Sequence, residues 1–200
     1  MTPSLTDTLC TRCALCCDGS LFADVELAGR AEITRLEVLG LEIEDGDEGA
    51  LLPLPCAALD GRRCGIYPHR PECCRTFECR LLKDVRRGAV RVERAREHIA
   101  AALARIARVR ALMAQLGLRR GRLPLRERCA EALSRNAKGV PEATRKRAEL
   151  ESEMSALEAL IRKVFLGGRL PNAVGADPGG PGRHGPGTSD ARLSSSIQRA

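Results

Sequence analysis

The strongest pattern along the chain is a stripe of apolar residues at alternating three- and four-residue steps: Val92, Ala95, Ile99, Ala102, Ile106, Val109, Met113 and Leu116. Such a stripe is the a/d seam of an amphipathic helix, and Gly117 is placed to close it. Leu150, Met154, Leu157, Ile161 and Val164 repeat the seam behind Val140-Pro141. Between the two, Leu125, Cys129 and Leu133 mark a shorter helix. Two long helices with matching seams pack most simply as an antiparallel pair, and an intermolecular coiled coil is the other arrangement open to them. Cys129 on the middle stripe reads as a small buried apolar residue rather than a ligand.

Ahead of these helices the pattern is shorter in range. Leu27, Ile33, Leu36 and Leu39 recur near helical spacing and predict a helix over Glu26 to Leu39, with Gly40 at its C-terminal cap. The segment EIEDGDEGA reads as an acidic loop. In LLPLPCAALDGRRCGIY, apolar residues flank the Asp60-Gly61 turn signal, which predicts a hairpin bringing Cys56 and Cys64 together. Pro71 stands where a short helix can begin, with Cys73 to Cys79 on it or just after it. From Gly167 onward the chain is dense in Gly, Pro and Ser, has little apolar surface to offset its ordering entropy, and is predicted to be disordered. The expected fold is a small metal-stabilised α+β cysteine-rich domain over 1–88. An α-helical hairpin or three-helix region follows over 89–166, then a disordered tail over 167–200.

Composition adds a metal to this picture. Only four of the 200 residues are aromatic (Phe22, Tyr67, Phe77 and Phe165), so the first 80 residues have little with which to build a core. A small domain of that kind needs a staple. Nine of the ten cysteines lie between Cys10 and Cys79. The opening MTPSLTDTLC has neither a basic nor an apolar region of a secretory signal, so the expected location is the reducing cytoplasm, where clustered cysteines hold metal more often than disulfides. No apolar run approaches the ~18 residues of a membrane span.

Charge is divided as sharply as cysteine. Residues 1–80 carry a formal −6 and residues 81–200 a formal +13. The basic part lacks the aromatic stacking residues that single strands would need, holding only Phe165, and the whole chain's 29 Arg against 4 Lys fit compositional drift, so nucleic acid is disfavoured as a partner. The expected partner is another protein or a second copy, engaged through the helices at 92–116 and 150–164.

The cysteines form three groups. Cys10, Cys13, Cys16 and Cys17 follow a C-x2-C-x2-C-C pattern. A C-x2-C turn lets two thiolates reach one ion, and a third at the same step resembles the start of a bacterial ferredoxin cluster site, completed by a remote cysteine. Neighbouring side chains point apart, so one of Cys16 and Cys17 is expected to serve a second centre. Cys56 and Cys64 form the next group, and Cys73, Cys74 and Cys79 the last. Taking one of Cys73 and Cys74 makes eight, enough for two tetrahedral sulfur sites, or for one iron–sulfur cluster and another site. Arg12, Arg62, Arg63, Arg70, Arg75 and Arg80 lie close in sequence and could donate hydrogen bonds to sulfur. Tyr67 is expected to pack the hairpin against Phe77, and His69 is left out of the ligand set.

CTRCALCC at 10–17 and PCAALDGRRCGIYPHRPECCRTFEC at 55–79 resemble the CxxCxxCC cysteine-cluster family of zinc- or iron-chelating domains. Ile66, Tyr67, Arg70, Pro71, Arg75 and Phe77 all stand where the family pattern asks. Its register selects Cys74 over Cys73. The resemblance implies eight metal ligands: Cys10, Cys13, Cys16, Cys17, Cys56, Cys64, Cys74 and Cys79. The function it implies is chelation of zinc or iron; the ferredoxin-like C-x2-C-x2-C start adds the version in which the iron is held as a 4Fe–4S cluster. A related block in flagellin lysine N-methylases supplies the alternative, an iron–sulfur redox protein or enzyme. No G-x-G-x-x-G follows a strand to bind a methyl donor. No catalytic residue is assigned, and the reading leans away from an enzyme.

Overall fold

The computed structural model describes residues 4–47, 49–118, 121–135 and 141–168. The tail expected to be disordered therefore lies, but for Gly167 and Gly168, outside the described residues, as does Val140. A π-helical turn over Thr6–Cys10 opens the described chain and runs into the short helix α1 (Thr11–Cys13). Ser4 and Asp7 brace the start reciprocally. The Ser4 hydroxyl donates to Asp7 Oδ2 at 2.7 Å and accepts the Asp7 N–H at 3.1 Å.

A three-stranded antiparallel sheet follows, made of β1 (Asp24–Glu26), β2 (Glu44–Gly46) and β3 (Gly49–Pro53), with β3 in the middle. Between β1 and β2 lies α2 (Arg30–Val38). The helix expected over Glu26 to Leu39 is thus shorter at its start. Val25 pairs with Leu52, and the Leu27 N–H donates to the Ala50 carbonyl at 3.0 Å, so the sheet claims these residues before Gly29, at φ 136°, turns the chain into the helix. Leu36 is buried and Ile33 half-buried, but Leu39 is 40% exposed. The helix ends as expected. Gly40 at φ 81° donates to the Glu37 carbonyl and Leu41 to that of Leu36, the paired bonds of a Schellman cap. The acidic segment expected to be a loop is instead mostly hairpin. Glu44 faces Leu51 and Asp45 faces Ala50, with both acids exposed, so the backbone ladder outweighs their weak strand preference.

The second hairpin forms where expected, from β4 (Leu59–Asp60) and β5 (Arg63–Cys64). Pro71 caps α3 (Glu72–Thr76), and α4 (Arg80–Arg86) follows with Leu81, Leu82 and Val85 buried. Three helices complete the molecule: α5 (Val92–Gln115), α6 (Leu125–Ser134) and α7 (Pro141–Val164). From Ala95 to Met113 the expected α5 stripe is buried throughout. On α7, Leu150, Leu157 and Ile161 are buried and Met154 is half-buried. The two pack antiparallel, since Arg105 reaches Glu153 at 2.9 Å and Arg108, one turn on, reaches back to Glu149. Cys129, on α6, is 3% exposed. No helix among the described residues is long and apolar enough to cross a membrane.

One hydrophobic core joins the halves, running from Leu9 and Leu15 through Leu36 and Leu52 to Ile106, Leu157 and Phe165. Polar links reinforce it. The Arg80 N–H donates to the Phe165 carbonyl at 2.8 Å, Leu125 N–H to that of Gly19 at 2.9 Å, and Arg110 meets Asp18 at 3.1 Å.

Candidate metal centre

Local backbone turns and hydrogen bonds position the cysteines. Cys10 and Cys13 are three residues apart on consecutive helical turns, which places them on one face. Ala14 then adopts a left-handed conformation (φ 60°), and its carbonyl accepts the N–H groups of Cys17 and Asp18. That reversal carries Cys16 and Cys17 back beside the first pair. Their sulfurs lie 3.7 Å apart.

Cys17 also fixes the second group. Its carbonyl accepts the Cys56 N–H at 2.9 Å, and the Cys56 carbonyl accepts the Leu59 N–H at 3.0 Å. Leu59 faces Cys64 across the β4–β5 hairpin. Cys74 comes in on α3, and Cys79 caps α4, its sulfur accepting the Leu82 N–H at 3.4 Å. All eight candidates are half-buried free thiols. Among the described residues, no three His, Cys, Asp or Glu side chains meet closely enough, as placed, to hold an ion.

Burial dominates the electrostatics. It pushes the Cys13 and Cys74 thiols up to about 12 and Cys10 to about 11, from an ordinary 9.0. Cys56, Cys64 and Cys79 are raised by the same cause. Cys16 is raised first by its hydrogen bond with Cys17 and then by burial. Neighbouring thiols add to the shifts: Cys79 acts on Cys10 and Cys13, while Cys17 acts on Cys56, Cys64 and Cys74. Cys73 differs. After burial, its neighbours in charge are Glu32, Glu26 and Glu72.

Of the six arginines expected near sulfur, Arg70 acts on the thiols, favouring the ionised forms of Cys10, Cys17 and Cys64. Its guanidinium lies 3.7 Å over the Tyr67 ring while Nε donates to the Tyr67 carbonyl. Arg62 instead donates to the Arg12 carbonyl, and Arg80 pairs with Asp84. Arg86, which the sequence did not single out, also favours ionised Cys10. The expected Tyr67–Phe77 packing is not found. Tyr67 is 44% exposed under Arg70, and Phe77 meets Phe22 edge-on at 5.1 Å. His69 is exposed in a 3-10 turn.

Glu32 was also missed. Its carboxylate is buried and accepts the N–H groups of Ala28 and Glu72, each at 2.8 Å, with Arg35 at 3.4 Å. The second bond ties α2 to the start of α3, the helix that carries Cys74. A glutamate at the third position of a helix was the only local signal for this role.

Residues 9–98 match the model of the CxxCxxCC family, described as "Putative zinc- or iron-chelating domain". No curated protein and no solved structure matches the chain. The match extends past Cys79 through α4 and into the first turns of α5.

Proposed function

We propose that Cys10, Cys13, Cys16, Cys17, Cys56, Cys64, Cys74 and Cys79 chelate zinc or iron, as the match of residues 9–98 to the CxxCxxCC model supports, and that the bound metal stabilises the N-terminal half. One observation carries this reading: eight free thiols from separate turns, strands and helices share one partly buried region in which most are each other's electrostatic neighbours. The donor set fits a soft or borderline cation, and thiolate sulfur suits both zinc and iron–sulfur centres. Burial that holds thiols protonated is unfavourable for bare thiolates. A bound cation supplies the charge that lets them ionise, so binding releases protons.

Cys79 raises the thiols of both Cys10 and Cys13, which fits a remote fourth cysteine to the C-x2-C-x2-C run, an arrangement that serves a ferredoxin-type cluster or a tetrahedral zinc site. Elemental analysis and a visible spectrum of protein purified without oxygen test both readings. Zinc without colour is the expected outcome for tetrahedral chelation. Brown protein with iron and acid-labile sulfide is expected for a cluster. Metal-free protein that takes up neither zinc nor iron would sink the chelation reading.

A further inference from the structure

We propose that the chain pairs with a second copy of itself about a two-fold axis, through a patch formed by Val38, Leu39 and Leu123. The apolar seams that the sequence offered for self-association are buried within one chain, from Ala95 to Met113 on α5 and at Leu150, Leu157 and Ile161 on α7. Among the described residues, four large apolar side chains are exposed: Val38 at 82%, Leu39, Tyr67 and Leu123 at 45%. Tyr67 stands apart, with the Arg70 guanidinium over its ring.

The other three border one salt link. Val38 ends α2 and Leu39 caps it, with Glu42 three residues further on. Leu123 follows Arg122 in the segment before α6. Arg122 and Glu42, 80 residues apart in the chain, meet at 3.1 Å and so join the two apolar segments at the surface. Both segments are anchored, since Leu41 on one side and Pro124 on the other are buried. Single exposed apolar side chains are ordinary, whereas several gathered beside one polar rim mark a contact surface.

Charge selects what covers the patch. Its rim mixes signs, with Glu37 and Glu42 as exposed acids and Arg35 and Arg122 as exposed bases. A rim of one sign would repel its own copy and favour an oppositely charged protein. A mixed rim around an apolar centre is self-complementary, as a two-fold contact between identical surfaces requires. In that pair Glu42 of each copy faces Arg122 of the other. Two well-exposed internal links are thereby exchanged for two across the interface. Three apolar side chains make a small contact, so the pairing is weak and depends on concentration.

Sedimentation equilibrium of the full chain under reductant, which removes disulfides between copies, tests the pairing. A monomer–dimer equilibrium is expected. Val38→Asp lies at an exposed site where the fold tolerates change, and should weaken pairing about tenfold with helical circular dichroism unchanged. Glu42→Arg and Arg122→Glu each set like charges across the contact, and each should be monomeric alone. Mixed one to one, the two variants restore both opposite-charge pairs and should form a heterodimer. That readout would not move if the two residues served only the fold of one chain. A wild-type chain that stays monomeric up to about 1 mM, an assembly larger than a dimer, a dimer indifferent to Val38→Asp, or a mixture no more associated than its components would each overturn the proposal.

Discussion

At the scale of single residues, the cysteines pull against their surroundings. In the metal-free chain, burial holds Cys13 and Cys74 near 12 and Cys10 near 11, against 9.0 for a free thiol. A raised folded-state value means that the folded chain keeps protons the unfolded chain has already shed. The stability these protonated thiols allow is fully present below about pH 9 and is lost as pH rises from 9 through 11 to 12. For each strongly shifted thiol the loss amounts to about 1 kcal/mol by about pH 10. Metal-bound thiolates are ionised already, so the loaded protein should show no such alkaline decline and should instead release metal in acid. Urea midpoints at pH 8 and pH 10, with and without chelator, check this. Equal alkaline losses in both forms would contradict the thiols' role as ligands. The cysteines were legible from spacing because a C-x2-C turn is a local object. Their neighbours through space were not, because Cys79 stands far along the chain from Cys10 and only the fold brings the two into each other's field.

At the scale of elements, legibility followed length. A 24-residue helix such as α5 repeats its seam often enough for the period to declare itself, and the buried positions from Ala95 to Met113 are those the stripe predicted. A three-residue strand cannot do this. Asp24–Glu26 and Glu44–Gly46 hold too few alternations to be told from a helix start or an acidic loop, and their pairing with Gly49–Pro53 is what defines them. The joint between α2 and α3 was hidden for the same reason, since Glu32 and Glu72 are partners through the fold. Replacing that buried carboxylate, Glu32→Ala, leaves two backbone N–H groups without their acceptor. The expected cost is about 2 kcal/mol, measurable as a lower urea midpoint. Because α3 carries Cys74, the variant should also bind metal more weakly than the wild type. Chelator competition measures the affinity, and an unchanged affinity would show that Glu32 does not act on the metal ligands through α3.

At the scale of the whole molecule, the cysteine-bearing half and the helical half share one interior. Leu9 and Leu15 flank cysteines, yet they lie in the same core as Ile106 and Met113, while Phe165 beyond α7 accepts the backbone N–H of Arg80 beside Cys79. A salt link from Asp18, the residue after Cys17, to Arg110 crosses the same boundary. The abrupt change in cysteine and charge near residue 80 marks where the clustered cysteines stop. It says nothing of which surfaces meet, because apolar seams on α5 and α7 look alike whether they face each other, a second chain or the sheet. With the core continuous, a ligand that stabilises the N-terminal half adds to the free energy of unfolding of the whole. Removing the metal should therefore lower one cooperative transition in which the helical circular dichroism and thiol accessibility change together. A chain made of a metal module and an independent helical pair would behave otherwise, its helices melting at an unchanged temperature while the thiols opened early. Thermal unfolding of the loaded and chelated protein, followed by both probes, separates the two cases, and a metal-insensitive helical transition would show that the shared core does not couple them.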